Sequence, residues 1–121
     1  MKRDIDLLRK ILLTVERHED DDLIKNIQID GCSYDKIAYH VYLLKEAGLI
    51  DAVISYGMGS IKVTNYSISK LTWKGHEFLD AARNDTIWAK AKEKISTMGG
   101  DIPFELVLPL LIEIAKKQMG L

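Results

Sequence analysis

Little in this chain is cross-linked, broken or strongly charged. It carries one cysteine, Cys32, so no internal disulfide can form, and that usage fits a reducing compartment. It has two prolines, Pro103 and Pro109, both near the end. No apolar run reaches membrane-spanning length. The opening Met1-Lys2-Arg3 is followed at once by Asp4, Asp6 and Arg9, which does not read as a signal peptide, so a cytoplasmic location without membrane contact is expected. Charge of one sign is lacking too: 17 Lys and Arg stand against 18 Asp and Glu, a net charge of −1. Through Thr72 there are ten basic and eleven acidic residues; from Trp73 onward there are seven of each. Nucleic-acid binders usually carry a basic footprint, because phosphate contacts supply much of their affinity. The totals therefore count against strong DNA binding, although a local patch is enough for it.

What is present suits one globular domain: 121 residues, 47% of them hydrophobic. In residues 4–18, Ile5, Leu8, Ile11, Leu12 and Val15 fall on one helical face, with Asp4 as N-cap. The acidic run Glu19-Asp20-Asp21-Asp22 then reads as a solvated loop. Residues 23–30 are ambiguous. As a helix, Leu23, Ile24 and Ile27 share a face; as a strand, Ile27 and Ile29 point inward, and the β-branched residues favour a short strand over 26–30. Ser33 can cap a helix to Ala47 with Ile37, Val41 and Leu44 as its core line, and Gly48 supplies the left-handed stop. A strand over 49–56, a Gly57–Ser60 turn and a returning strand over 61–68 form a hairpin. Thr72 is expected to cap a helix that buries Trp73, Phe78 and Leu79, and Asp85 to cap another with Ile87, Trp88, Ala91 and Ile95. Gly99-Gly100 breaks that helix, and a last one runs from Pro103 to about Gln118, kinked or shortened at Pro109.

Chemistry-bearing constellations are few. His18, His40 and His76 have neither His-x-x-x-His nor Cys-x-x-Cys spacing, so no metal and no cofactor are expected. The acidic run lacks the alternating ligands and central glycine of a calcium loop. Gly57-x-Gly59-Ser60 is too short for a phosphate loop. Cys32 has no evident base, and nothing assembles a nucleophile, base and orienting group, so no enzyme is expected.

Two surfaces stand out. The helix over 33–47 turns Asp35, Lys36, Tyr39, Tyr42, Leu43 and Glu46 outward, with His40 at the border. Running into a hairpin, it has the form of a recognition helix passing into a wing. Lys36, Tyr39, His40 and Lys62 are then the candidate contacts to double-stranded DNA. Against this, Asp35 and Glu46 carry the wrong sign for phosphate, and helix and hairpin contain no arginine. The last helix is apolar over more than one face (Phe104, Leu106, Val107, Leu108, Leu110, Leu111, Ile112 and Ile114). It is either a core helix or, as expected here, a homodimer surface with Val107 among its residues.

The stretch His40–Ile50 resembles the His-Leu-x-x-Leu-x-x-Ala-Gly-Leu-Val signature of arsenic-repressor-like winged-helix regulators. A wider resemblance runs through Met1–Asp4, Leu7–Leu12, Tyr39-His40, Ala47–Ile50, Leu71–Ala81 and Asn84–Trp88, with Lys92 and Ile95. These residues resemble the uncharacterised family called domain of unknown function 2513. The resemblance implies a winged-helix fold and a phage or prophage setting, and it brings no activity, ligand or site. The expectation is an α+β winged helix-turn-helix-like domain (helix, short strand, helix, two-stranded wing) over residues 1–72. A C-terminal helical extension over 73–121 belongs to the same compact domain. Its function is expected to be DNA-binding regulation through helix 33–47 and wing 50–68. The alternative is a non-enzymatic protein-interaction or dimerisation module that keeps the fold without reading DNA.

Overall fold

The computed structural model describes residues 1–100 and 102–121. The architecture is α+β: among the described residues there are five α-helices and one two-stranded antiparallel sheet. The chain divides into two compact units, Met1–His76 and Glu77–Leu121. No described helix is long and apolar enough to cross a membrane.

In the first unit, α1 (Ile5–Arg17) starts at Asp4, whose carboxylate accepts the Leu7 N–H at 3.3 Å. Helix α2 (Tyr34–Glu46) starts at Ser33, whose hydroxyl accepts the Lys36 N–H at 3.1 Å. Each cap satisfies a donor that the first helical turn leaves open. Gly48, at φ 76°, ends α2 and sends the chain into β1 (Ile50–Tyr56). The hairpin returns as β2 (Val63–Leu71), with Val53 opposite Ser67. The core joins Leu8, Ile11 and Leu12 of α1 to Ile37, Val41 and Leu44 of α2 and to Tyr66 and Ile68 of β2, all 3% exposed or less.

Two sequence expectations need correction here. Residues 26–30 form no strand; only Ile24 pairs, as a single antiparallel bridge to Ile68. The reason lies in where the backbone groups go. The Ile27 N–H is taken by the Tyr66 hydroxyl at 2.7 Å, and the Ile29 carbonyl closes a tight turn with the Cys32 N–H at 3.1 Å. Ile27 is still buried, at 3% exposure, so its inward direction was legible although its partner was not. The second strand covers 63–71, not 61–68. Bulges between Asp51 and Ala52 and between Ser55 and Tyr56 absorb the extra residues of β2.

Helix α3 (Trp73–Ala82) begins in the first unit. Thr72 Oγ1 accepts the Gly75 N–H at 3.0 Å and donates to the Gly48 carbonyl at 2.6 Å. One threonine thus caps α3 and ties it to the turn after α2. Trp73, expected inside, is 81% exposed. At the first position of α3 it lies on a different face from Phe78 and Leu79, one and a half turns on.

In the second unit, α4 (Asp85–Thr97) is capped by Asn84, not by Asp85. The Asn84 side-chain oxygen accepts the N–H groups of Thr86 and Ile87 at 2.9 and 3.0 Å. Phe78 meets Trp88 edge-on, with centroids 6.4 Å apart, and Phe104 at 5.2 Å. Gly99 and Gly100 adopt positive φ and end α4. A 3-10 turn, Phe104–Leu106, precedes α5 (Val107–Gln118). Pro109 is the third residue of α5, where its missing N–H is one the first turn leaves unpaired anyway.

Candidate functional site

The outward face of α2 and the near side of the hairpin enclose an open groove of about 820 Å³. Helix α2 contributes Asp35, Tyr39 and Tyr42, and the hairpin contributes Tyr56, Ile61, Lys62 and Val63; Met1 lies at the margin. The i, i+3 spacing of Tyr39 and Tyr42 puts both rings on one side of α2, with centroids 6.1 Å apart. Tyr56, at the end of β1, meets Tyr42 edge-on at 6.5 Å. Tyr42 is also acidic-side anchored: its hydroxyl donates to the Glu46 carboxylate, which raises the phenol pKa above 10. Tyr34 fastens the N-terminal end of α2 to the hairpin. It stacks on Tyr66 at 5.8 Å and donates its hydroxyl to the Thr64 carbonyl at 2.9 Å.

Both candidate lysines lie near this surface, and both are ion-paired. Lys62 Nζ is 3.3 Å from Asp35 Oδ2, directly across the groove, and Lys36 Nζ is 3.5 Å from Asp4 Oδ2. All four side chains are well exposed, so each pair contributes about 1 kcal/mol or less to stability. Their consequence is electrostatic: each of these two lysines has a carboxylate beside it, so charges of both signs stand on this side of α2.

His40, expected at the exposed border of α2, is fully buried. Its Nε2 accepts the Asp4 N–H at 2.9 Å, and its Nδ1–H donates to the Lys36 carbonyl at 2.7 Å. These partners select the neutral tautomer protonated on Nδ1. Desolvation lowers its pKa below 6.5, outweighing the Lys36 carbonyl and Asp4, which pull it upward. The histidine pins the start of α1 to α2 and cannot contact a ligand in the groove. Three of the four proposed contacts (Lys36, Tyr39 and Lys62) remain on the surface; His40 does not.

Elsewhere, His18, Asp20 and Asp22 each bring a ligand-type atom within 4.8 Å of the others, with His18 Nε2 3.0 Å from Asp22 Oδ1. The two aspartates are exposed, and the cluster reads as a polar loop. In α5, Val107, expected at a dimer surface, is 1% exposed, and Leu111 is fully buried. The helix keeps Leu106 and Ile112 on the outside, 53% and 43% exposed.

The groove was not legible in the sequence, although helical spacing placed Tyr39 and Tyr42 together on the outer arc of α2. Tyr56, Ile61 and Met1 join it only because the hairpin folds back beside α2, and no local pattern announces that.

The family model described as "Hypothetical protein (DUF2513)" matches residues 2–101. A curated relative from Haemophilus influenzae, named "Uncharacterized protein", is 35% identical over 109 residues, covering 88% of this chain and 89% of that one. No solved structure matches the chain.

Proposed function

The chain belongs to the DUF2513 family, and we propose that it acts as a non-enzymatic protein-interaction module with a winged-helix-like arrangement. Helix α2 stands where a recognition helix would, β1 and β2 form the wing, and the Ile24 bridge is the remnant of a third strand. The helix that normally crosses the DNA backbone and braces the recognition helix has no counterpart in residues 25–33, which are irregular. The occupant of the groove is an extended apolar segment of a partner protein, seating proline or aliphatic side chains against Tyr39, Tyr42 and Tyr56. Aromatic-lined grooves take such segments because the rings offer rigid apolar area at little entropic cost. One observation carries the reading: the groove is walled by three tyrosines, while the cationic side chain among its described lining residues, Lys62, is paired with Asp35 at 3.3 Å.

A second reading, duplex DNA binding in gene control, draws on one feature: Lys36, Tyr39 and Lys62 share this side of the molecule. Two experiments on the full chain separate the readings. Peptide-display selection should enrich proline-containing or aliphatic peptides whose binding is lost in Tyr42→Ala and kept in Lys36→Glu. Titration with mixed-sequence duplex at low salt, where phosphate-driven affinity is greatest, should show no binding. Duplex binding that weakens with salt and is lost in Lys36→Glu and Lys62→Glu would install the second reading in place of the first.

A further inference from the structure

Among the described residues, no strand or bridge pairs with the outer edge of β1, and the hydrogen-bonding pattern of that edge can be worked out. Ile68 of β2 exchanges both of its backbone bonds with Ile24, at 2.9 Å each, on the side of β2 away from β1. In an antiparallel ladder, a residue's N–H and C=O point to the same side, and sides alternate along the strand. Ala52, opposite Ile68, therefore sits in a non-hydrogen-bonded pair, and its own N–H and C=O point away from β2. Val53, opposite Ser67, points its groups inward; Ile54, opposite Tyr66, points them outward again. Among the described residues, no backbone group outside β2 bonds to Ala52 or Ile54.

The centre of this edge, Ala52–Ile54, carries no charge and no proline, and Asp51 is the strand's one charged residue. Ile50–Tyr56 reads Ile-Asp-Ala-Val-Ile-Ser-Tyr, with no proline, no lysine and three β-branched apolar residues. Proline and lysine are residues that natural edge strands use to block pairing. Val53 is 68% exposed on the face away from the core, an apolar side chain with no cover.

We propose that β1 pairs antiparallel with β1 of a second copy of this chain, about a two-fold axis through Val53, to give a continuous four-stranded sheet. This register follows from the edge itself. Outward residues must meet outward residues, and centring the axis on Val53 pairs all seven positions of the strand. Ala52 then faces Ile54 of the partner subunit and exchanges both backbone bonds with it, and the symmetric pair does the same, giving four bonds at the centre. The two Val53 side chains meet across the axis in a non-hydrogen-bonded pair, where side chains approach most closely. Asp51 falls opposite Ser55 of the partner subunit, a carboxylate facing a hydroxyl, so no like charges oppose each other. The pairing shares only Tyr56 with the tyrosine groove, does not use α5, and its central bonds are made by Ala52 and Ile54, which do not line the groove.

The test is sedimentation of the full chain over a wide concentration range, joined to site-directed oxidation. The wild type should show a reversible monomer–dimer equilibrium. Val53→Lys should weaken it at least tenfold, because two ammonium groups then meet on the axis, while the circular dichroism spectrum stays unchanged. In a Cys32→Ser background, Val53→Cys should give a disulfide-linked dimer under mild oxidation. Asp51→Cys should not, since the two copies of position 51 lie four residues apart along the strand, about 14 Å at roughly 3.4 Å per residue. A wild type that stays monomeric throughout overturns the proposal. So does a dimer that Val53→Lys leaves intact, or cross-linking at position 51 as efficient as at 53.

Discussion

Replacing Gly75 with alanine tests how the first turn of α3 is seated. A Cβ at this position would overlap the Leu49 carbonyl oxygen outright and stand 3.0 Å from the Leu49 carbonyl carbon and 3.4 Å from its Cα. The obstacle is backbone, not a flexible side chain, so α3 must lift away from the turn after α2. Three hydrogen bonds span that contact: Thr72 N–H to the Leu49 carbonyl at 3.1 Å, Thr72 Oγ1–H to the Gly48 carbonyl at 2.6 Å, and Lys74 Nζ to the Ala47 carbonyl at 3.1 Å. Losing three bonds at about 1 kcal/mol each costs about 3 kcal/mol. Alanine's better helix propensity returns about 1 kcal/mol. The expected net destabilisation is about 2 kcal/mol. Urea unfolding should read this as a midpoint lowered by about 1 M with an unchanged slope. Combining Gly75→Ala with Thr72→Ala should cost less than the sum of the two, because both release the same contact. A Gly75→Ala midpoint equal to or above the wild type would refute the close approach of α3 to Leu49.

Three further outcomes are expected. His40 is held neutral, with its folded pKa below the unfolded value of 6.5, so the unfolded chain binds more protons in the interval between them. Stability from this group is therefore complete above pH 6.5 and falls as pH drops below it, with a slope of up to about 1.4 kcal/mol per pH unit. His40→Gln should remove that component, and equal pH dependence of wild type and variant would contradict it. Tyr66→Phe leaves the buried Ile27 N–H without its acceptor and should cost about 1–3 kcal/mol, seen as a lower melting temperature. The two tryptophans should differ sharply in urea unfolding. Trp88→Ala, at 3% exposure, should cost about 3–5 kcal/mol, and Trp73→Ala, at 81% exposure, should stay within about 0.5 kcal/mol of wild type. Similar losses for both would show that Trp73 is packed.

Much of this protein was decided by local chemistry that a reader of the sequence can follow. Asp4 and Ser33 cap α1 and α2 because a short polar side chain before an apolar-periodic run has an open N–H to accept. Gly48 stops α2 because glycine takes positive φ without strain, and the alternating residues around Gly57–Ser60 make the hairpin. The apolar spacing of Leu8, Ile11, Leu12, Ile37, Val41 and Leu44 marked the core face correctly, since helical period alone decides which residues share a side. Tertiary structure decided the rest, wherever a group had to choose between partners distant in sequence. Ile27 gave its N–H to Tyr66, 39 residues away, instead of joining a strand. His40 turned inward because the Asp4 N–H and the Lys36 carbonyl could satisfy both ring nitrogens without water. The tyrosine groove, the pairing of its lysine with Asp35 and the open edge of β1 exist only once the hairpin lies beside α2. Spacing within one element reports which side a residue faces; what waits on that side depends on how the elements meet.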